Sequence, residues 1–171
     1  TAYEIPKRDW SSDVCSSDLM PVKIFFPAVD GDTLLIAADD TIFKSGELSN
    51  RARQVLQKLV DGPKDPAFDA ALPKDTRIQQ VFLSDTGTAY VDFTSEISTN
   101  QPGGILQEQA TIYAIVNSLT YNLPEIREVK ILIGGTEKET LAGHCLLLLP
   151  LQMDLSITNV TVPEEPKPGT P

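Results

Sequence analysis

A chain of 171 residues with 41% apolar content is long enough for one domain with tails and carries enough core-forming side chains to exclude global disorder. Its 24 acidic residues against 14 basic ones give a net charge of −10, scattered rather than blocked, with no basic patch interleaved with aromatics. Such a surface repels nucleic acid and anionic lipid, and no run of about 18 apolar residues exists to span a membrane.

In chain order, residues 9–19 (DWSSDVCSSDL) come first. They resemble one reading frame of a common DNA sequencing adapter translated as protein, although a Ser/Asp-rich natural linker has the same composition. Residues 1–19 are therefore expected to form a non-native or disordered leader, with the natural N-terminus and any targeting signal missing. Without them, 12 basic residues face 20 acidic ones, a net charge of −8. Setting Cys15 aside leaves Cys145 alone, so no internal disulfide forms and no redox compartment can be read.

A domain is expected over residues 20–158. Residues 21–29 and 34–38 read as two strands joined at Asp30-Gly31-Asp32. Asp30, Asp32, Asp39 and Asp40 do not follow the twelve-residue calcium-loop pattern and read as solvated turn carboxylates. Residues 47–60 form a helix whose Leu48, Ala52, Val55, Leu56, Leu59 and Val60 make one apolar stripe. Ser45 is its predicted N-cap and Asp61-Gly62-Pro63 its stop. A polar loop, 64–74, leads to a hairpin of residues 77–83 and 88–94 around Ser84-Asp85-Thr86-Gly87. In its second arm Ala89, Val91 and Phe93 face one way, and Tyr90, Asp92 and Thr94 the other.

A polar crossover, 94–104, opens the second helix, 105–121, on which Ile105, Gln109, Ile112, Val116 and Leu119 recur at helical steps. Asn122 and Pro124 end it. EVKILI (128–133) is a strand with Val129, Ile131 and Ile133 on a core face, closed by Gly134 and Gly135. Residues 141–151 suit either a buried terminal strand or an irregular arm. Residues 151–158 alternate as a strand, and 159–171 read as a Pro-rich disordered tail.

The chemical constellations are thin. His144 is the one histidine and sits beside Cys145. Neighbours in a strand point to opposite faces, so catalysis would need a distant group to meet His144, which reads as a structural or turn-proximal residue. One histidine and scattered carboxylates do not make a zinc set. Gly103-Gly104 at a helix start lacks the lysine of a phosphate loop. Asp92 with Glu96 is the carboxylate pair that glycoside cleavage would use, if the fold joined them. The chain is thus expected to hold no catalytic, cofactor-binding or metal residue, and no cofactor.

One binding element stands out. The alternating strand follows Pro150, a residue that sheets admit mainly at edges and strand starts. Gln152, Met153, Asp154, Leu155 and Ser156 are therefore the predicted partner-binding edge, open to strand addition unless the segment completes its own sheet or packs as a terminal arm.

Several segments, taken in order, resemble the GerMN domain of exported bacterial lipoproteins: VKIFFP, RARQVLQKLVDGP, LPKDTRIQQVFL with GTAYVDFTSE, QEQATIYAIVNSLTYNLPEIREVKILIGG, and TLAGHCLLLLPL. The resemblance covers residues 20–151. It implies an α/β (α+β) domain with two main helices on a mixed or mainly antiparallel sheet. It also implies export, often with a lipid anchor at an N-terminal cysteine, a link to sporulation and germination, and no enzyme activity. This chain carries one such domain where the family's spore protein carries two. It also has apolar residues after Gly-His where the family has polar ones. The expected function is a non-catalytic, envelope-associated binding or assembly module; the alternative is a cell-wall ligand-binding domain or a carboxylate-dependent envelope hydrolase. Its expected partner is an envelope protein or a second copy, with no nucleic acid. Its expected location is extracytoplasmic, touching membrane only through an anchor absent from this chain.

Overall fold

A computed structural model describes residues 18–29 and 33–161. Trp10, Cys15, the turn at 30–32 and most of the Pro-rich tail lie outside those residues.

The elements run β1 (Leu19–Pro27), β2 (Leu35–Phe43), α1 (Leu48–Asp61), β3 (Ile78–Leu83), β4 (Thr88–Phe93), α2 (Glu96–Thr99), α3 (Ile105–Asn122), β5 (Glu128–Ile133) and β6 (Leu151–Gln152). β1 and β2 form an antiparallel pair; the others form a mixed sheet in the order β3-β4-β5-β6. β3–β4 and β5–β6 are antiparallel, and β4–β5 is parallel. The architecture is α+β, as the sequence predicts.

α3 joins β4 to β5 as a crossover, which is what a parallel pair requires. The helix packs on β1 and on β5, so one apolar body serves both sheets. Phe25, Phe93, Ile112, Ile115 and Leu119 are fully buried there, and the Phe25 ring meets Tyr121 edge-on at 5.6 Å. On the other face of β1, Phe26 stacks on Phe68 at 6.3 Å.

Several expectations shift. β2 extends to Phe43 because β1 supplies a partner down to Leu19, so Asp39 and Asp40 lie within a strand rather than a turn. Ser45 is not the helix N-cap; Glu47 holds that position, and Ser45 Oγ accepts the Glu47 N–H at 3.2 Å. The crossover contains a short helix, α2. β5 does not have a single core face. It lies between β4 and β6, and Lys130 on its other side is also buried, as is Asp92 on β4. Central strands of a sheet with a parallel pair are commonly covered on both faces. At the hairpin turn Gly87 has φ 89°, and a Cβ there would stand 3.1 Å from Glu125 O, so the glycine permits both the turn and its contact with the start of β5.

Candidate interaction surface

The buried face of α3 carries one carboxylate. Glu108 shares its helical row with Ile112, Ile115 and Leu119 and is 1% exposed. Its Oε2 accepts the N–H groups of Ala142 (3.2 Å), His144 (3.2 Å) and Cys145 (3.0 Å), and its Oε1 meets His144 Nδ1 at 2.6 Å. Burial pushes the carboxyl upward and is the largest single influence. The Cys145 N–H, the His144 ring and the remaining N–H groups together outweigh it and hold the pKa below the ordinary value. The carboxylate thus fastens the Gly-His loop to the start of α3. His144 and Cys145 lie in a bend rather than a strand, and residues 141–150 form the irregular arm. Burial pushes the Cys145 thiol up, as does the nearby Glu108 charge.

The arm has a second tether. Lys130 Nζ donates to Leu147 O at 3.0 Å and to Leu148 O, and stands 3.6 Å from Glu137 Oε2. Upstream, the Gly135 N–H donates to Asp92 Oδ1 at 2.9 Å, with Gly134 and Gly135 at φ 60° and 75°. Held this way, the arm presents Leu146, Leu148 and Leu149 to solvent, and Ile105 and Leu106 of the α3 start are also exposed. Cys145 Sγ approaches Ile105 O at 3.8 Å, which ties the arm to that helix start. Exposed leucines in such number are a feature of binding surfaces.

Of the predicted partner-binding residues, Gln152 lies in an outer strand of the sheet and Met153, Asp154, Leu155 and Ser156 lie beyond it. β6 is an outer strand, yet its ladder holds only Leu151 and Gln152, paired with Val129 and Glu128. Residues 153–158 do not continue it. Asn117, fully buried on α3, accepts the Asp154 N–H at 3.0 Å and donates to Asp154 O at 2.8 Å. Asp154 Oδ1 then accepts the Ser156 N–H at 2.9 Å and turns the chain. The segment runs on beside β2, where Leu35 N donates to Ile157 O at 3.0 Å and Ala37 N to Asn159 Oδ1 at 3.0 Å. Gln152, Met153 and Ser156 stay exposed; Asp154 and Leu155 are half-buried. Met153 and Leu155 line a groove of about 520 Å³ with Tyr121, Pro124 and Ile126.

The remaining sequence candidates have partners of their own. Asp40 meets Lys58 at 3.0 Å and Lys64 at 2.9 Å, and Asp39 meets Lys23 at 2.7 Å. Among the described residues no cluster of three or more His, Cys, Asp or Glu could hold a metal ion. Asp92 is bound to Gly135. Glu96 opens α2, where the Thr94 hydroxyl holds its pKa below the ordinary value. Glu108 and Asn117 are what sequence reasoning missed. A charged and an amide side chain on an otherwise apolar helix were the available signal.

The fold and this surface define an α+β module whose buried polar groups hold its own loops in place. The chain belongs to the Germane family, described as sporulation and spore germination, whose model matches residues 23–139. It is similar to the tandem GerMN domains of the sporulation protein GerM from Bacillus subtilis, at 25% identity and a TM-score of 0.63, covering 78% of this chain and 46% of that one. The first GerMN domain of the same protein matches at 24% identity and a TM-score of 0.59, over 79% of this chain and 98% of that one. A candidate lipoprotein from Clostridium perfringens matches at 21% identity and a TM-score of 0.56, over 80% of this chain and 89% of that one. No curated protein matches.

Proposed function

We propose that this chain is a non-catalytic module of the cell envelope that binds a protein partner or another copy of itself, in sporulation, germination or envelope organisation. The observation that carries this reading is the fastened Gly-His loop: Glu108 accepts three of its backbone N–H groups and meets His144 Nδ1 at 2.6 Å, beside the exposed Leu146, Leu148 and Leu149. That arrangement builds a loop and displays leucines above it. Family membership supports the link to sporulation and germination. The extracytoplasmic, lipid-anchored location rests on the likeness to the candidate lipoprotein.

Two measurements test the reading. His144→Gln, expressed in a strain deleted for the gene, should restore the deletion phenotype to the wild-type level, after a stability loss of about 1–2 kcal/mol. A variant that folds normally and keeps the hydrogen-exchange protection of Ala142 and Cys145, yet fails to complement, points to chemistry at the imidazole and overturns the non-catalytic role. The protein expressed from its own gene should partition into the detergent phase of an envelope extract; recovery in the soluble cytoplasmic fraction overturns the location.

A further inference from the structure

Most strand edges of this domain are closed by its own groups. On β1, Asn122 accepts the Lys23 N–H at 2.8 Å and donates to Lys23 O at 2.6 Å, while Ser118 Oγ accepts the Phe25 N–H at 3.0 Å. The outer edge of β2 is met at Leu35 and Ala37 by residues 157–159 and at Phe43 by Gln54, and the chain beyond β6 is held by Asn117. β3 is different. The Ser84 N–H donates to Thr88 O at 2.9 Å, and the register then pairs Phe82 with Tyr90 and Gln80 with Asp92. Antiparallel alternation therefore points the N–H and C=O groups of Val81 and Leu83 away from the sheet. Among the described residues nothing hydrogen-bonds to them.

This edge has few of the usual protections. Its sequence, IQQVFL, contains no charge and no proline, and its one irregularity is a bulge at Gln79. Phe82 is 57% exposed on its outer side.

We propose that β3 is a self-pairing edge, on which a second copy of this chain adds its own β3 antiparallel about a two-fold axis near Val81. This rests on the reading of the chain as a binding or assembly module and names the partner. Charge decides for a second copy over an unrelated strand. Arg77 stands just before the strand and Asp85 just after it, and both are exposed. Among the described residues neither is within ion-pair distance of an opposite charge, although Arg77 is near enough to Glu96 to help lower its pKa. An antiparallel copy brings each Arg77 toward the partner's Asp85, so the one edge is self-complementary, as a two-fold contact requires. The two Phe82 rings become diagonal neighbours on one face of a continuous eight-stranded sheet, within reach of each other. The bulge at Gln79 limits the new ladder to a few residues. The dimer is accordingly weak and concentration-dependent, below the size of a standard interface.

Sedimentation equilibrium of the full chain from about 1 μM to about 1 mM tests the idea. A monomer–dimer equilibrium is expected. Val81→Pro removes an outward N–H at an edge, where proline is tolerated, and should raise the dissociation constant at least about tenfold with an unchanged circular dichroism spectrum. Asp85→Arg should weaken the dimer by itself, and Arg77→Asp added to it should restore the pairing; this swap also decides the matter if the proline variant fails to fold. A chain that stays monomeric throughout, or a dimer indifferent to both Val81→Pro and Asp85→Arg, overturns self-pairing at β3. Those results leave the broader module reading to the His144 experiment.

Discussion

Glu108 shows how one buried charge sets the shape of a surface. A carboxylate that is 1% exposed is tolerable only because four hydrogen-bond donors converge on it. Removing its charge leaves those donors with a weaker acceptor, so Glu108→Gln should lose about 1–3 kcal/mol of stability at neutral pH. The folded pKa lies below the ordinary 4.5, so the unfolded chain takes up this proton first as pH falls. The stabilisation is therefore complete above the unfolded value and is lost as pH falls through the folded one. Urea titrations at about pH 7 and about pH 3 should show a large gap between wild type and Glu108→Gln that narrows in acid. A gap that is constant with pH would mean that the charge is not what holds the loop.

Among the elements, α3 does more than cover a sheet. Polar groups on its inner surface meet the backbone of four separate segments: Glu108 binds the Gly-His arm, Thr111 donates to Ala71 O, Asn117 binds Asp154, and Ser118 with Asn122 closes β1. Each is a side-chain substitute for a missing strand, satisfying groups that would otherwise be orphaned. Asn117→Ala should strip two bonds from Asp154 and release the segment after β6, at a cost of about 1–3 kcal/mol. Hydrogen exchange at Asp154 and at Leu35, whose N–H donates to Ile157 O, should accelerate together, while β4 keeps its protection. Unchanged exchange at Leu35 would show that the segment along β2 holds without Asn117.

For the whole molecule, the shared helix predicts cooperativity between two sheets that exchange no ladder. Ile115 is fully buried in the helix that packs on both β1 and β5. Ile115→Ala should cost about 2–5 kcal/mol and lower both sheets in one transition. Exchange protection of Phe25 in β1 and of Ile131 in β5 should then fall by the same amount. Loss confined to one sheet would mean that the sheets unfold as separate units.

The sequence alone determined the parts that depend on near neighbours. Helical spacing around Ile112 and Val116, alternation through EVKILI, and the turn at Ser84–Gly87 each describe which side a residue faces, and that is settled within a few positions along the chain. The same text carried the family resemblance, and with it the α+β class. The tertiary structure decided what depends on who meets whom. Alternation at 151–158 is compatible with a strand, but Asn117, more than thirty residues upstream, takes the Asp154 backbone and ends the ladder at Gln152. Glu108 reads as one polar position on a helix until the fold brings residues 142–145 to it. The ladder of the predicted edge likewise stops at Gln152, while β3 stands at the other side of the same sheet with Val81 and Leu83 turned outward. Periodicity specifies the face of a strand, whereas an edge is defined by the absence of a neighbour, and only the assembled sheet has neighbours to count.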